Sequence, residues 1–284
     1  MSSNFPLVSV IVPCFNSGET LMRTISSIER QTYGCFEIII VDDGSNDLLT
    51  ISRLDEMRSK YSKILKHEKN LGLPAARNSG FKYATGDFIL FLDSDDWLED
   101  SAIEKMLSSY WRAKRKVFVF SDLVFEGDRS GVSERIYKPF SQLVINRIPY
   151  CFLISKNDLQ FDDLYNEDLR DGLEDWDFNL RLLESGFTPL RIAEPLFHYS
   201  IGLGGLFTRK TRFRFFSIWK QIRRSHKNTY KVSNLLKLVN EEIKNFGFSS
   251  ICLPFFVLFL SSLRIDFILN RFFVFGLLFY RKVH

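Results

Sequence analysis

The stretch GDFILFLDSDD, residues 86–96, decides how the chain is read. Phe88–Leu92 is an unbroken apolar run of strand length with no polar alternation, the pattern of a strand covered on both faces. It runs straight into Asp93-Ser94-Asp95-Asp96, so carboxylates stand at its carboxyl end. Upstream, Pro74 suits the first turn of a helix, and Gly86 suits its stop. Further outward the same alternation repeats. Leu7–Pro13 and Phe36–Val41 read as buried strands and Ile64–His67 as a weaker one. Leu21, Ile25 and Ile28, then Leu48, Ile51, Leu54, Met57 and Tyr61, recur at helical spacing between them. Strands alternating with helices predict an α/β fold, a mostly parallel sheet flanked by helices.

Beyond this point the pattern loosens. Ile103, Met106, Leu107 and Trp111 mark another helix, while Val117–Phe125 and Glu134–Lys138 read as strands. Leu173, Trp176, Leu180 and Leu183 define a further helix, with Gly186 placed to end it. Pro189–Tyr199 reads as extended or irregular.

Composition narrows the function classes. The 284 residues are 45% hydrophobic and 25% charged, which excludes wholesale disorder. Cys14, Cys35, Cys151 and Cys252 form no CxxC pair, and the four histidines are scattered singly, so neither a disulfide scaffold nor a zinc site is expected. With no signal-peptide pattern at Met1–Pro6, the expectation is a cytoplasmic protein. Charge is divided unevenly. Residues 1–207 carry 23 Lys and Arg against 31 Asp and Glu, whereas residues 208–284 carry 15 against 3. This predicts one domain over 1–207 and a basic, Phe-rich helical extension over 208–284, meeting a partner of negative charge.

Acids crowded at strand ends repel one another unless a cation sits among them. In open α/β sheets that crevice is where ligands bind. Hard divalent cations take oxygen ligands and commonly bridge one or two carboxylates to substrate phosphates. Asp93 and Asp95 therefore read as a clamp for Mn²⁺ or Mg²⁺ and a diphosphate, whereas Asp96 or Asp100 reads as the cap of the next helix. Asp42-Asp43-Gly44-Ser45 at a second strand end is by itself a common turn. Arg77, in the loop-to-helix passage Asn70–Asn78, reads either as a phosphate contact or as the salt-bridge partner of one of these acids. Asp171 and Glu174 have the spacing of a capping box, so Glu174 reads either as a helix start or as a ligand.

Taken in order, VSVIVPCFN (8–16), VDDGS (41–45), NLGLPAARN (70–78), GDFILFLDSDD (86–96) and GLEDWDFNLRL (172–182) resemble glycosyltransferase family 2 over residues 7 to about 200. The resemblance implies a GT-A fold and an inverting, metal-dependent transfer from a nucleotide-diphosphate sugar, with UDP the expected nucleotide. It implies a nucleotide-sugar site of Pro13, Phe15, Asn16, Asp42, Asp43, Asn70, Gly72, Arg77, Asn78, Asp93 and Ser94. Asp93 and Asp95 would hold the metal, Asp175 would be the general base, and Glu174 and Trp176 would position the acceptor. A first-turn position in its helix favours the ionised form that Asp175 needs as a base. The chain departs from the family in one place. Many relatives carry a Tyr-Arg pair where Tyr199-Ser200 stands here, and Arg209 or Lys210 is expected to close over the diphosphate instead. His198 is expected to be structural.

The acceptor implied is a glycan or lipid-linked hydroxyl in cell-surface polysaccharide synthesis. Ser249–Leu263 and Ile268–Tyr280 are Phe-rich but interrupted, short of the roughly 20 apolar residues that span a bilayer. They fit helices lying in the membrane interface, placing the protein peripherally on the inner face of the cell membrane, with a buried helical hairpin or dimer contact, or a tilted span, as the alternatives. An inactive, sugar-nucleotide-binding relative is a second reading, opposed by the intact Asp93, Asp95 and Asp175. Nucleic-acid binding through the ten basic residues of Arg209–Lys237 is a third, opposed by the absence of any recognised module.

Overall fold

In the computed structural model, the residues described are 5–262 except 59, 62, 129, 161–163 and 203–210. The chain divides into two compact units. The first comprises residues up to Arg135, Pro149–Arg170 and Ser185–Ile201. The second comprises Ile136–Ile148, Asp171–Glu184 and the described residues from Gly202 onward. A cut at 207/208 follows the charge along the sequence. The compact units follow packing instead, and two earlier segments group with the basic extension.

The first unit is built on one mixed sheet, nine-stranded among the described residues, in the order β3-β2-β1-β4-β8-β6-β9-β5 with β7 attached to β6. The strands are β1 (Val8–Cys14), β2 (Phe36–Asp42), β3 (Ile64–Lys66), β4 (Phe88–Phe91), β5 (Trp97–Leu98), β6 (Val117–Gly127), β7 (Gly131–Ser133), β8 (Leu153–Ser155) and β9 (Thr188–Ile201). Every residue of β1 and β4 is buried, which is why both read as continuous apolar runs. β3, β2, β1 and β4 are parallel neighbours, so their carboxyl ends lie along one edge. β6 and β9 are also parallel.

Between these two parallel groups sits β8, antiparallel to both β4 and β6, which makes the sheet mixed. Its signal in the sequence, the apolar Cys151–Ile154, is only a few residues long and lies between loops. The strand expected at Glu134–Lys138 does not form; the hairpin partner of β6 is the earlier β7. Pro189–Tyr199 is extended, within β9, a strand of 14 residues whose pairing with β6 is irregular between Ile192 and Phe197.

Four helices accompany this sheet: α1 (Leu21–Glu29), α2 (Leu48–Arg58), α3 (Leu73–Tyr83) and α4 (Ala102–Arg112). α3 packs on β1 and β2, and α4 on β6 and β9. Pro74 sits in the first turn of α3 as expected. Gly86 does not end that helix, which stops at Tyr83 with Ala84 as its cap. Gly86 answers a close approach instead, since a Cβ there would lie 2.6 Å from the Leu7 carbonyl oxygen.

The second unit holds α5 (Glu174–Glu184), α6 (Arg212–Ser225), α7 (Val232–Phe246), α8 (Ser249–Ser262) and a 3-10 turn at Ser141–Leu143. α7 packs on α8, and α8 meets the 3-10 turn. Gly186 follows α5 with φ +82°, the left-handed stop expected of it. Among the described residues no helix is long and apolar enough to cross a membrane. The apolar run at 268–280 lies outside the described residues.

Candidate active site

The carboxyl ends of β1 and β2 carry the first cluster. Pro13 is buried in the strand, and Phe15 just past it is 44% exposed, leaving an aromatic face open to solvent. Asn16 takes φ +51° and spans to the next loop. Its side chain accepts from the Asn46 N–H at 2.9 Å, and its own N–H donates to Ser45 Oγ at 3.0 Å. Asp42 Oδ1 accepts the Ser45 N–H at 2.8 Å, closing a tight turn. Asp43 accepts from the Leu71 and Gly72 N–H groups at 2.9 and 2.8 Å and meets His67 at 2.7 Å. Both acids are buried and shape the 70–72 loop. Asn70 lies on that loop, exposed, with Arg170 donating to it.

The second cluster follows β4. Arg77 from α3 donates to Asp93 Oδ1 and Oδ2 at 2.7 and 2.9 Å. Its guanidinium lies 4.7 and 5.0 Å from the ring centres of Tyr150 and Tyr165, and the residue is 1% exposed. Of the two roles open to Arg77, the structure has the salt bridge: the cation is spent on Asp93 and held inside. Asn78 is likewise turned inward. Its amide donates to the Tyr165 carbonyl at 2.9 Å and accepts the Tyr165 N–H at 2.9 Å, so it pins a loop and presents no polar edge to a ligand. Ser94 Oγ lies 2.7 Å from Ser17 Oγ.

Asp96 caps no helix. It is buried, with Tyr150 hydroxyl and the Ser200 N–H (2.7 Å) on its two oxygens, and burial with the charges of Asp95 and Asp93 pushes its carboxyl well up. α4 starts at Ala102 after Ser101, and Asp100 pairs with Arg30. Ser200 also bonds the Asp95 carbonyl through its hydroxyl. Ser200, where the resemblance implied an arginine, is approached from elsewhere. Arg23 of α1 donates to the Asp95 carbonyl at 2.8 Å and to Ser200 Oγ at 3.0 Å. Neither Arg23 nor Tyr150 belongs to a motif, and only the fold brings them here. His198 stacks on Trp97 and sits between Glu99 and Glu126 at 2.7 and 3.0 Å, a satisfied structural position.

Asp95 itself reaches solvent, yet desolvation by the protein packed around it, then the Asp93 charge, pushes its carboxyl up to about 6. An acid destabilised by a like charge is a place where a cation is welcome. Among the described residues no group of three His, Cys, Asp or Glu side chains is arranged to hold a metal ion by itself. A cation held by two carboxylates and completed by phosphate oxygens and water, the habit of Mg²⁺ and of Mn²⁺, fits this donor set.

In the second unit, α5 begins at Glu174 after Gly172 (φ +112°) and Leu173 (φ +65°). Asp171 therefore stands outside the helix and is not its cap. It pairs with Arg214, and its carbonyl accepts the Thr211 hydroxyl. Asp175 is half-buried on the first turn and accepts from Asn146 Nδ2 at 2.7 Å. Glu174 is 4% exposed. Trp176, expected at the acceptor, is fully buried, with its indole N–H on the Gln142 carbonyl at 2.7 Å; it is a core residue. Arg209 and Lys210 lie outside the described residues.

Comparison with known proteins supplies the family. The Glycosyl transferase family 2 profile matches residues 9–159, more than half of the chain. The chain belongs to glycosyltransferase family 2. A relative from Staphylococcus aureus (strain N315), the poly(ribitol-phosphate) beta-N-acetylglucosaminyltransferase TarP, is 35% identical over 158 residues, 52% of this chain and 47% of that one. The Escherichia coli UDP-Glc:alpha-D-GlcNAc-diphosphoundecaprenol beta-1,3-glucosyltransferase WfgD is 40% identical over 102 residues, 36% of this chain and 40% of that one. The chain thus spans less than half the length of both relatives. Among solved structures, S. aureus TarS in complex with UDP-GlcNAc matches with a TM-score of 0.66 at 20% identity, covering 86% of this chain and 74% of that one. The mannosyltransferase PcManGT from Pyrobaculum calidifontis, in complex with GDP-Man and Mn²⁺, matches with a TM-score of 0.63 at 15% identity, covering 89% and 74%. These likenesses give the family-2 chain its GT-A fold.

Proposed function

We propose that this chain is an inverting glycosyltransferase that moves a sugar from a UDP-sugar to a hydroxyl of a glycan or lipid-linked acceptor in cell-surface polysaccharide synthesis. The observation that carries the reading is the Asp93/Asp95 pair at the tip of β4, with one carboxylate paired inward to Arg77 and the other open to solvent. The sugar-nucleotide named for TarS and the acceptors named for TarP and WfgD support it.

In this reading Phe15 offers its exposed ring to the base, while Asp42 and Asp43 keep the surrounding loops in shape. Asn70 and Gly72 border the donor. Asp93 and Asp95 would hold Mn²⁺ or Mg²⁺, whose charge would stabilise the departing diphosphate. Asp175 takes the proton from the acceptor hydroxyl as that oxygen bonds to the anomeric carbon. The carbon's bond to the diphosphate oxygen breaks on the opposite face, so configuration inverts. Positioned base catalysis of this kind contributes about 10²- to 10⁴-fold.

The reading also places the protein peripherally on the inner face of the cell membrane. Phe255, Phe256 and Phe259 of α8 are more than half exposed, and basic residues crowd α6 earlier in the same extension.

A thermal-shift screen of UDP-GlcNAc, UDP-Glc and GDP-mannose, each with and without Mn²⁺, tests the donor and the metal together. Binding is followed by UDP-release assays with undecaprenyl-diphosphate-linked GlcNAc and with poly(ribitol phosphate). A metal-dependent shift lost in Asp95→Asn, with transfer but not donor binding lost in Asp175→Asn, is the expected result. No metal-dependent shift with any sugar-nucleotide would end the reading.

A further inference from the structure

Asp175 sits at the end of a chain of side-chain amides that no motif announces. Asn146 donates from Nδ2 to Asp175 Oδ2 at 2.7 Å. Its Oδ1 accepts from Gln142 Nε2 at 2.8 Å and from Asn179 Nδ2 at 3.2 Å. Two donors on the oxygen leave the amide one orientation, with its NH₂ directed at the carboxylate. Gln142 is fixed in turn, because its Oε1 accepts the Arg147 N–H at 2.8 Å. Asn179 is held by a second bond to the Ile148 carbonyl at 3.1 Å. Gln142 and Asn179 are both fully buried.

The support continues into α7. Ser141 gives its N–H (2.8 Å) and its hydroxyl (2.6 Å) to the carboxylate of Glu242, which is itself fully buried. The 3-10 turn carrying Gln142 is thereby pinned to a helix of the basic extension. Buried amides are costly, the more so where an atom such as Asn179 Oδ1 has no partner among the described residues, and apolar side chains would fill the same space more cheaply. Here they converge on one acid.

We infer that Asn146 is a positioning residue for Asp175, with Gln142 and Asn179 holding its amide in the donating orientation. The inference rests on the reading of Asp175 as general base. A donor fixed on one carboxylate oxygen favours the ionised form and sets the plane of the carboxylate toward the acceptor hydroxyl.

The experiment compares Asn146→Leu, Gln142→Leu, Asn146→Gln and Asp175→Asn in the full chain. It uses the donor and acceptor pair that turns over fastest in the panel above, together with calorimetry of UDP and Mn²⁺. Asn146→Leu lowers kcat about ten- to a hundredfold, the effect of a misplaced catalytic group, while donor KM and UDP affinity stay within about twofold. Gln142→Leu falls in the same direction by less, and Asn146→Gln, which keeps a donor, recovers part of the loss. Independently of turnover, carbon-13 titration of the Asp175 carboxyl moves up by about one unit in Asn146→Leu, the size of a lost hydrogen bond to a charged group. Glu174 and Asp177 near Asp175 on α5, and Arg147 beside Asn146 in the chain, are charges that every variant leaves in place.

An unchanged kcat and an unchanged titration in Asn146→Leu, with Asp175→Asn inactive, would overturn the positioning role while sparing the base. Equal losses of kcat, UDP affinity and melting temperature would mark Asn146 as merely structural. Full transfer by Asp175→Asn would remove the base assignment, and the positioning role with it.

Discussion

Arg77 shows how much one residue's meaning depends on what surrounds it. A cation in a loop-to-helix passage has two uses, a ligand phosphate or a protein acid. The choice here follows from Tyr150 and Tyr165, whose rings flank the guanidinium and leave Asp93 as its partner. A planar fork suits that slot and an ammonium does not. Arg77→Lys is therefore expected to lower stability by about 1.5–3 kcal/mol, because the paired hydrogen bonds to Asp93 are lost while both charges stay. It also raises the donor KM by freeing Asp93. Urea unfolding and steady-state kinetics check the two effects separately, and a variant as stable as the parent would show that the stacked geometry contributes little. Residue-level legibility is uneven. Asp93 and Asp95 stand out in the sequence because carboxylates crowded at the end of an apolar strand repel one another and call for a cation. Tyr150, Arg23 and Asn146 do not stand out, since each acts through a partner far away in the sequence.

At the scale of elements, α5 is the instructive case. Its apolar spacing announces a helix, but not how it starts. Gly172 and Leu173 both take positive φ, so the chain turns sharply before Glu174 and leaves Asp171 outside the helix. For a leucine that conformation is strained, of order 1–3 kcal/mol, and it persists only where the surroundings impose it. At the other end, His226 from the end of α6 contacts Asp177 at 3.1 Å and Glu184 at 2.9 Å. Burial alone would push the imidazole down, but the hydrogen bonds to Asp177 and Glu184 outweigh it and push the group up to about 9. A pKa raised above the unfolded value of about 6.5 means the folded state holds the proton more tightly. That contribution to stability is complete below about pH 6.5 and disappears as the pH rises through about 9. Urea midpoints of the parent are thus expected to fall across this window, and those of His226→Gln to stay flatter. Parallel curves would show that the clamp does not stabilise the fold.

For the molecule as a whole, the opposed charge of its two sequence portions is a property of composition, but how the exposed aromatics are used is a matter of packing. On α8, Leu253, Phe255, Phe256 and Phe259 remain exposed while Ile251 is buried. Pro254 lies inside that helix. Large apolar groups left in water within a basic portion of the sequence suit an anionic lipid interface. Sedimentation with vesicles of phosphatidylglycerol is expected to carry the parent down. Phe255→Asp with Phe256→Asp weakens that binding at least about tenfold, the loss of two buried aromatic side chains from the bilayer boundary. Equal sedimentation of parent and variant would leave these residues without a membrane role.

The sequence by itself determined the α/β alternation, the parallel group of β1, β2 and β4, and the acids at the carboxyl ends of β2 and β4. Each is a local consequence of apolar runs stopping at polar ones, and local patterns survive in one dimension. Tertiary structure alone decided that β8 enters antiparallel between β4 and β6, that Trp176 and Asn78 face the core, and that Asn146 meets Asp175. A short strand takes its direction from its neighbours, a polar side chain takes its role from whatever lies across from it, and neither is written in the residue type or its spacing.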